Sequence, residues 1–303
     1  MAGFKAQADL PFVGAYVAQE KGYFRDQGLE VDIRHAQSGE HLQLLLAGEI
    51  QFATANGAQV VSRNSQALPI VSVALIGQKS EQGFAVLASS GISSVKDWEG
   101  KTFGYGSSVP TEFLATVKAN NVDPAKIKQV RAGFDPRILS EGGVDILTVF
   151  VSNEPDTLAR QGVKTRVFDP TDYGVSSLGL TYITSRDYLT KNPEVVGRFV
   201  HATLKGLDYA NTHRDEALDI VMKYAPQEER EHQRFLMTTE FDRGALTGVA
   251  KENGLGWQTK DQWQTFADSL LEFKAIEKPV DVSTIFTDEF VKASYKSGKL
   301  VWP

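Results

Sequence analysis

Cysteine is absent from all 303 residues. Disulfides, thiolate nucleophiles, thiolate zinc sites and cysteine-ligated iron–sulfur clusters are therefore excluded together. The chain also lacks any long basic run. Its 38 acidic and 32 basic residues leave a formal charge of −6, which argues against a surface that tracks nucleic-acid phosphates. The longest apolar runs, such as LPIVSVALIG at 68–77, fall well short of the roughly 20 residues that a membrane-spanning helix needs.

Enzyme signatures are equally scarce. The five histidines (His35, His41, His201, His213 and His232) form no i, i+4 pair and no HExxH, so a metal site is not expected. No GxSxG elbow, Walker loop or EF-hand is found. FGYGSS at 103–108 supplies two glycines of a dinucleotide motif, but Val109 stands where the third belongs, which makes a Rossmann reading poor. Carboxylate pairs such as Glu228–Glu229 fall in a helical tail, where a solvated face is the default.

What is present points to a large globular protein. Apolar side chains make up 42% and aromatics 10%, and the length suits two domains of about 150 residues each. Strand-like alternation or short β-rich runs occur at GFKAQA, LEVDIRHA, IQFATA, PIVSVALI, GFAVLASS, KTFGYG, DILTVFV, TRVFDP and LGLTYIT. Helical spacing fills the gaps. In FVGAYVAQEKGYFRDQGLEVDI (12–33), Val13, Tyr16, Val17 and Phe24 share one helical stripe and Pro11 suits the first turn. Alternation of strand and helix favours mostly parallel sheets.

Beyond Arg186 only helical patterns follow, and no strand signal interrupts them. Two lobes are inferred: residues 1–78 with the tail 185–303 packed on them, and residues 79–184. The chain would cross twice, near 76–82 and 178–186, forming a hinge. No internal repeat, low-complexity tract or Pro/Gly-rich linker is found. The opening MAGFKAQADL reads as a strand, and Met-Ala-Gly is where a trimmed leader and a vector start could meet, so export is left open at this point.

In doubly wound sheets, ligands bind beyond the carboxyl ends of the strands. The strand–helix junctions at 8–12, 36–40, 53–59, 104–112, 151–156 and 169–174 therefore define the candidate site. They carry the aromatics Phe12, Tyr105 and Tyr173. With these stand the polar residues Gln37, Ser38, Asn56, Ser107, Ser108 and Asn153 and one carboxylate, Glu154. Rings stack and polar groups select edge atoms, so the mixture suits a flat, mostly neutral heteroaromatic ligand. Each residue also has a structural reading: Phe12 as a hydrophobic staple, Ser107 or Ser108 as a helix cap, Ser152 or Asn153 as a cap, and Glu154 as a partner of the helix dipole. Trp257 and Trp263 read as packing residues.

GAYVAQEKGYFRDQGLEVDI, LLLAGEIQFATANG, SSVKDWEGKTFGYGSS with a helix after it, and NPEVVGRFVHATLKGLDYA together resemble the ABC-importer solute-binding proteins of the thiamine-pyrimidine, riboflavin and alkanesulfonate group. The resemblance spans most of the chain. It implies a two-lobed periplasmic-binding-protein-like α/β fold with mostly parallel sheets, helices on both faces and the ligand in an inter-lobe cleft. VFVSNEPDTLARQG and FDPTDYGVSSLGLTYIT resemble the riboflavin and pyrimidine side of the group, where a glutamate near Glu154 contacts ligand. ADLPFVG stands where pyrimidine binders typically have a tryptophan-containing loop, a departure that favours a larger ring such as isoalloxazine.

The resemblance implies an exported monomer, periplasmic or lipid-anchored on the outer face. It would bind riboflavin or a related heteroaromatic by hinge closure and hand it to an ABC permease and, through that, an ATPase. No cofactor is expected, riboflavin being cargo. A thiamine-pyrimidine ligand is the second expectation, and a sulfonate or other small anion using Arg137 the third. The enzymatic branch of the family, a pyrimidine synthase, depends on a cysteine-rich motif that this chain lacks.

Overall fold

The computed structural model describes residues 1–3, 5–36 and 40–302. It divides into two compact units. The first comprises Met1–Ser80, Leu178–Gln264 and Val280–Pro303; the second comprises Glu81–Ser177 and Thr265–Pro279. The tail is thus shared: the Lys260–Glu272 helix begins in the first unit and ends in the second. Within the second unit, Lys118 Nζ donates to the carbonyl of Lys274 at 3.3 Å. Four passages between units replace the two expected, because that helix and the segment after it add a further excursion.

Among the described residues, ten strands build the two main sheets: β1 (Ala2–Gly3), β2 (Arg34–His35), β3 (Ala53–Asn56), β4 (Ile70–Leu75), β5 (Gln82–Leu87), β6 (Thr102–Tyr105), β7 (Lys128–Arg131), β8 (Ile146–Phe150), β9 (Thr165–Phe168) and β10 (Leu180–Ser185). The first sheet has the order β2-β1-β3-β10-β4 and the second β7-β6-β8-β5-β9. In the first, β1 runs parallel to β2 and β3, while β10 is antiparallel to both β3 and β4. In the second, β6 runs parallel to β7 and β8, while β5 is antiparallel to β8 and β9. Each sheet therefore consists of four parallel strands and one reversed strand in the same relative place. The reversed strand is in each case the first one formed after the chain changes unit. The two units share a topology without sharing a sequence repeat.

The tail is not wholly helical. Tyr295–Lys296 (β11) and Lys299–Leu300 (β12) pair antiparallel, joined by Ser297 and Gly298 at φ 51° and 71°, the two-residue turn with positive φ that favours hairpins. This corrects the expectation that only helical patterns follow Arg186.

Burial explains the Leu10–Glu20 helix. Every residue from Leu10 to Ala18 is buried, so the helix is apolar all round, as a core helix must be. It packs on the Pro193–Thr212 helix, whose buried Val196, Phe199, Val200, Thr203, Leu204 and Leu207 recur at helical spacing. At the crossing, a Cβ on Gly206 would lie 2.1 Å from the Gly14 carbonyl oxygen, so only glycine fits there. Tyr182, fully buried on β10, donates its hydroxyl to the Pro11 carbonyl.

The second unit has an aromatic core. Phe103 and Phe113 stack at 3.8 Å, Trp98 lies parallel to Phe113 at 6.1 Å, and Phe84 meets Trp98, Phe103 and Phe113 edge-on.

Gly206→Ala should destabilise the protein by about 3 kcal/mol, read as an earlier denaturant midpoint. Gly197→Ala, on the same helix but facing only the Phe290 ring at 3.1 Å, should cost much less.

Candidate functional site

Parallel strands deliver their carboxyl ends to one edge of a sheet, so topology decides which loops meet. In the first unit these are the segments after β1, β2, β3 and β4. In the second they are the segments after β6, β7, β8 and β9. Asn56 falls on the first edge; Tyr105, Ser107, Ser108, Asn153, Glu154 and Tyr173 fall on the second. Gln37 and Ser38 lie outside the described residues.

Phe12 requires a correction. It is 1% exposed, stacked on Tyr16 at 5.5 Å and tilted against His35 at 4.6 Å. The helix is buried on every side here, so the ring is enclosed in the core against the last residues of β1 and β2 instead of lying open on the rim. Asn56 caps the Gly57–Ser65 helix in a reciprocal capping box: its Oδ1 accepts from Gln59 N at 2.8 Å, and Gln59 Oε1 accepts from Asn56 N at 3.0 Å.

In the second unit, Ser107 and Ser108 are exposed. The Thr111–Ala119 helix has Pro110 at its N-cap and no side-chain cap bond, so helix capping does not account for the two serines. Tyr105 and Tyr173 are half-buried, the first tilted on Phe103 at 6.3 Å and the second on Phe168 at 5.6 Å. Burial raises the Tyr173 phenol above its ordinary pKa. Asn153 holds the N-cap position of the Glu154–Arg160 helix without a side-chain cap bond. Glu154 Oε2 accepts from Phe150 N at 2.7 Å, which closes the turn between β8 and that helix. Arg137, the residue named for an anion, is exposed and donates through Nε to both Asp135 oxygens at 3.0 Å.

The same edges hold residues that sequence reading did not single out. Phe134, after β7, is 59% exposed; a Cβ on Gly106 would lie 2.4 Å from its ring, so that glycine admits the ring against the GYGSS turn. Glu112, in the first turn of the Thr111–Ala119 helix, is 1% exposed, and its Oε1 has no partner among the described residues. Loss of water pushes its carboxyl up to about 7. Thr116, one turn on, is also buried, with Oγ1 unpartnered among the described residues.

In the first unit, Gln7 Nε2 donates to both oxygens of Asp9 at 2.9 Å, and the Tyr16 hydroxyl meets His35 Nε2 at 3.0 Å. Desolvation lifts Asp9 to about 6. Among the described residues, no group of three or more His, Asp and Glu side chains is placed to hold a metal ion. The chemistry on offer is ring contact together with hydroxyl and amide groups that donate or accept hydrogen bonds and carboxyl groups.

Residues 10–217 match the model of a family described as NMT1/THI5 like. The chain belongs to this family. It is 27% identical to the riboflavin-binding protein RibY of Chloroflexus aurantiacus over 93% of this chain and 83% of that one. It is 28% identical to the formylaminopyrimidine-binding protein of Halalkalibacterium halodurans over 90% and 84%. It is also 22% identical to the 4-amino-5-hydroxymethyl-2-methylpyrimidine phosphate synthase of Legionella pneumophila over 91% and 86%. Among solved structures, the periplasmic aliphatic sulphonate binding protein SsuA of Escherichia coli superposes with a TM-score of 0.68 at 15% identity, covering 96% of this chain and 98% of that one. The NMT1/THI5-like chain thus has the periplasmic-binding-protein α/β fold.

The buried Glu112 generates a pH prediction. A carboxyl whose folded pKa lies above its ordinary 4.5 costs stability as pH rises from about 4.5 to about 7. The advantage of Glu112→Gln over wild type should therefore grow across that window by about 3 kcal/mol and stay level above it. Denaturation at pH 5 and pH 8 checks this; an equal difference at both would contradict it.

Proposed function

We propose that this protein is the solute-binding component of an ABC import system, capturing a planar heteroaromatic vitamin or vitamin precursor and delivering it unchanged to a membrane permease. The observation that carries the reading is similarity along nearly the whole chain to two proteins named for binding such compounds. It is supported by sheet edges that carry Tyr105, Tyr173 and the exposed Phe134 beside hydroxyl and amide groups. Aromatic faces would take the ring, and Ser107, Ser108, Asn153 and Glu154 would select among its edge atoms.

Riboflavin is the first candidate. A thiamine-type aminopyrimidine is the second, favoured by the Asp9 carboxylate and its Gln7 amide partner in the first unit. Capture by hinge closure, an exported monomer as the working form and an ATPase-driven permease as its recipient belong to the proposal. A small anion is disfavoured because Arg137 is engaged by Asp135. Catalysis of pyrimidine synthesis is not proposed, since the cysteine-rich motif of that branch is lacking.

Purified protein should quench riboflavin fluorescence or, failing that, shift its melting temperature with an aminopyrimidine, and denaturation should return the compound chemically intact. A transformed product would overturn the binding reading. Tyr105→Ala should weaken binding by up to about tenfold, the worth of one stacked ring, with the fold unchanged by circular dichroism. If ligand closes a hinge, the radius of gyration from small-angle scattering should fall on saturation; no change would remove that part.

A further inference from the structure

Parallel strands share their amino ends as well as their carboxyl ends. In the first sheet the starts of β1, β2 and β3 therefore lie together, at the edge opposite the one that carries the candidate site. The reversed strand brings further elements to this edge. Because β10 is antiparallel to β3, its carboxyl end at Ser185 arrives here and delivers the Arg186–Lys191 helix and the start of the Pro193–Thr212 helix. A cavity of about 210 Å³ lies among these parts, wholly within the first unit.

Its walls are apolar. Buried Ile50 and Phe52 line it together with half-buried Leu29, Val31, Tyr188 and Val195. Phe52 stacks on the fully buried Phe199 at 3.8 Å and meets Tyr188 edge-on at 5.8 Å, a set of rings that suits an aromatic or aliphatic guest. An apolar cavity of about 150 Å³ admits benzene, so the volume here leaves room for a ring with a short arm. The exposed part of the lining is mostly acidic: Glu30, Asp32 and Glu49 stand there against Arg34. The positive groups are already engaged. Arg34 Nε is bound by Asp32 at 2.6 Å, and the Met1 amino group donates to the Asp32 carbonyl at 2.9 Å. The side chains of Glu30 and Glu49 form no ion pair among the described residues. The cavity thus joins an apolar wall to two uncompensated carboxylates.

We propose that this cavity is an accessory binding site for a small organic cation, its apolar body seated against Phe52, Tyr188 and Val195 and its primary ammonium held by Glu30 and Glu49. Charge complementarity selects the occupant. A neutral molecule of the same shape gains the wall contacts alone, and an anion meets two carboxylates of its own sign. A cation gains both terms, and its ammonium stays among exposed groups, so no unpaired charge is buried. Exposed carboxylates contribute modestly and are screened by salt, so the preference for the cation is small and sensitive to ionic strength. The site is separate from the one proposed for a heterocycle and does not depend on that reading.

The test is a ligand-observed NMR titration with 2-phenylethylammonium, its neutral isostere 2-phenylethanol and the anion phenylacetate. The cation should bind wild type with a dissociation constant of about 1 mM or below, the alcohol about fivefold more weakly, and phenylacetate more weakly still. Replacing both acids, Glu30→Gln with Glu49→Gln, should remove the preference for the cation over the alcohol, and raising sodium chloride to about 0.5 M should narrow it in wild type. Val195→Phe, which fills the cavity from its apolar wall, should abolish binding of cation and alcohol alike, with circular dichroism unchanged. Equal affinity of wild type for cation and alcohol, an undiminished preference in the double variant, or no saturable binding of the cation would each overturn the site. Full cation affinity in Val195→Phe would place the cation elsewhere and overturn it as well. None of these results bears on capture of a heterocycle at the opposite edge, and failure to bind riboflavin or an aminopyrimidine would leave this site standing.

Discussion

The first unit depends on how closely two helices approach each other. The Gly14 carbonyl occupies the space that a side chain on residue 206 would need, so the Leu10–Glu20 and Pro193–Thr212 helices touch backbone to backbone. At that separation the shorter helix is enclosed along its whole buried face. Its N-terminal end is then pinned from two directions: Tyr182 of β10 binds the Pro11 carbonyl, while Glu240 and Gln233 take the N–H groups of Leu10 and Ala8. Residues 171 to 230 positions away thereby set where the loop after β1 runs. A tight apolar contact determines the position of a polar edge.

The second unit reaches a comparable edge by different means. No long helix encloses it; a lattice of stacked and edge-on rings around Trp98, Phe103 and Phe113 anchors the start of the Thr111–Ala119 helix through Phe113. The strand order is nevertheless the same in both sheets. Shared topology with unrelated cores is what one expects when the arrangement of loop ends is retained for binding and the interior is free to be filled by any well-packed set.

Much of this was legible in the sequence. The runs PIVSVALI, DILTVFV and LGLTYIT became β4, β8 and β10, because strands buried on both faces leave dense apolar runs. β7 was not foreseen, since Lys128–Arg131 lies at the edge of its sheet and is largely exposed, so it carries no apolar signal. The hairpin after Ser294 was overlooked although the Ser-Gly pair announces it. For the candidate site, the rule of carboxyl ends picked loops that the topology brings to those edges, but it did not foresee how each side chain is buried or bonded there. Phe12 was placed on the rim because an all-apolar helix has no polar face to reveal its orientation. Asp9 was passed over because Asp-Leu-Pro reads as an ordinary cap, and only tertiary contacts from Gln233 and Glu240 reveal that it is not one. Phe134 had a faint signal, the glycine at 106 whose missing side chain admits its ring.

The reversed strands have a bearing on how the chain folds. In the first sheet β10 separates β3 from β4, so those two strands cannot be bridged until about a hundred further residues have been synthesised. Every strand of the second sheet, by contrast, comes from the continuous stretch 81–177. Closing a long loop costs entropy before its contacts repay it. The nested segment is therefore the natural first folding unit on the ribosome, and the earlier-made amino-terminal strands wait, unpaired at one side, for a strand that arrives after it.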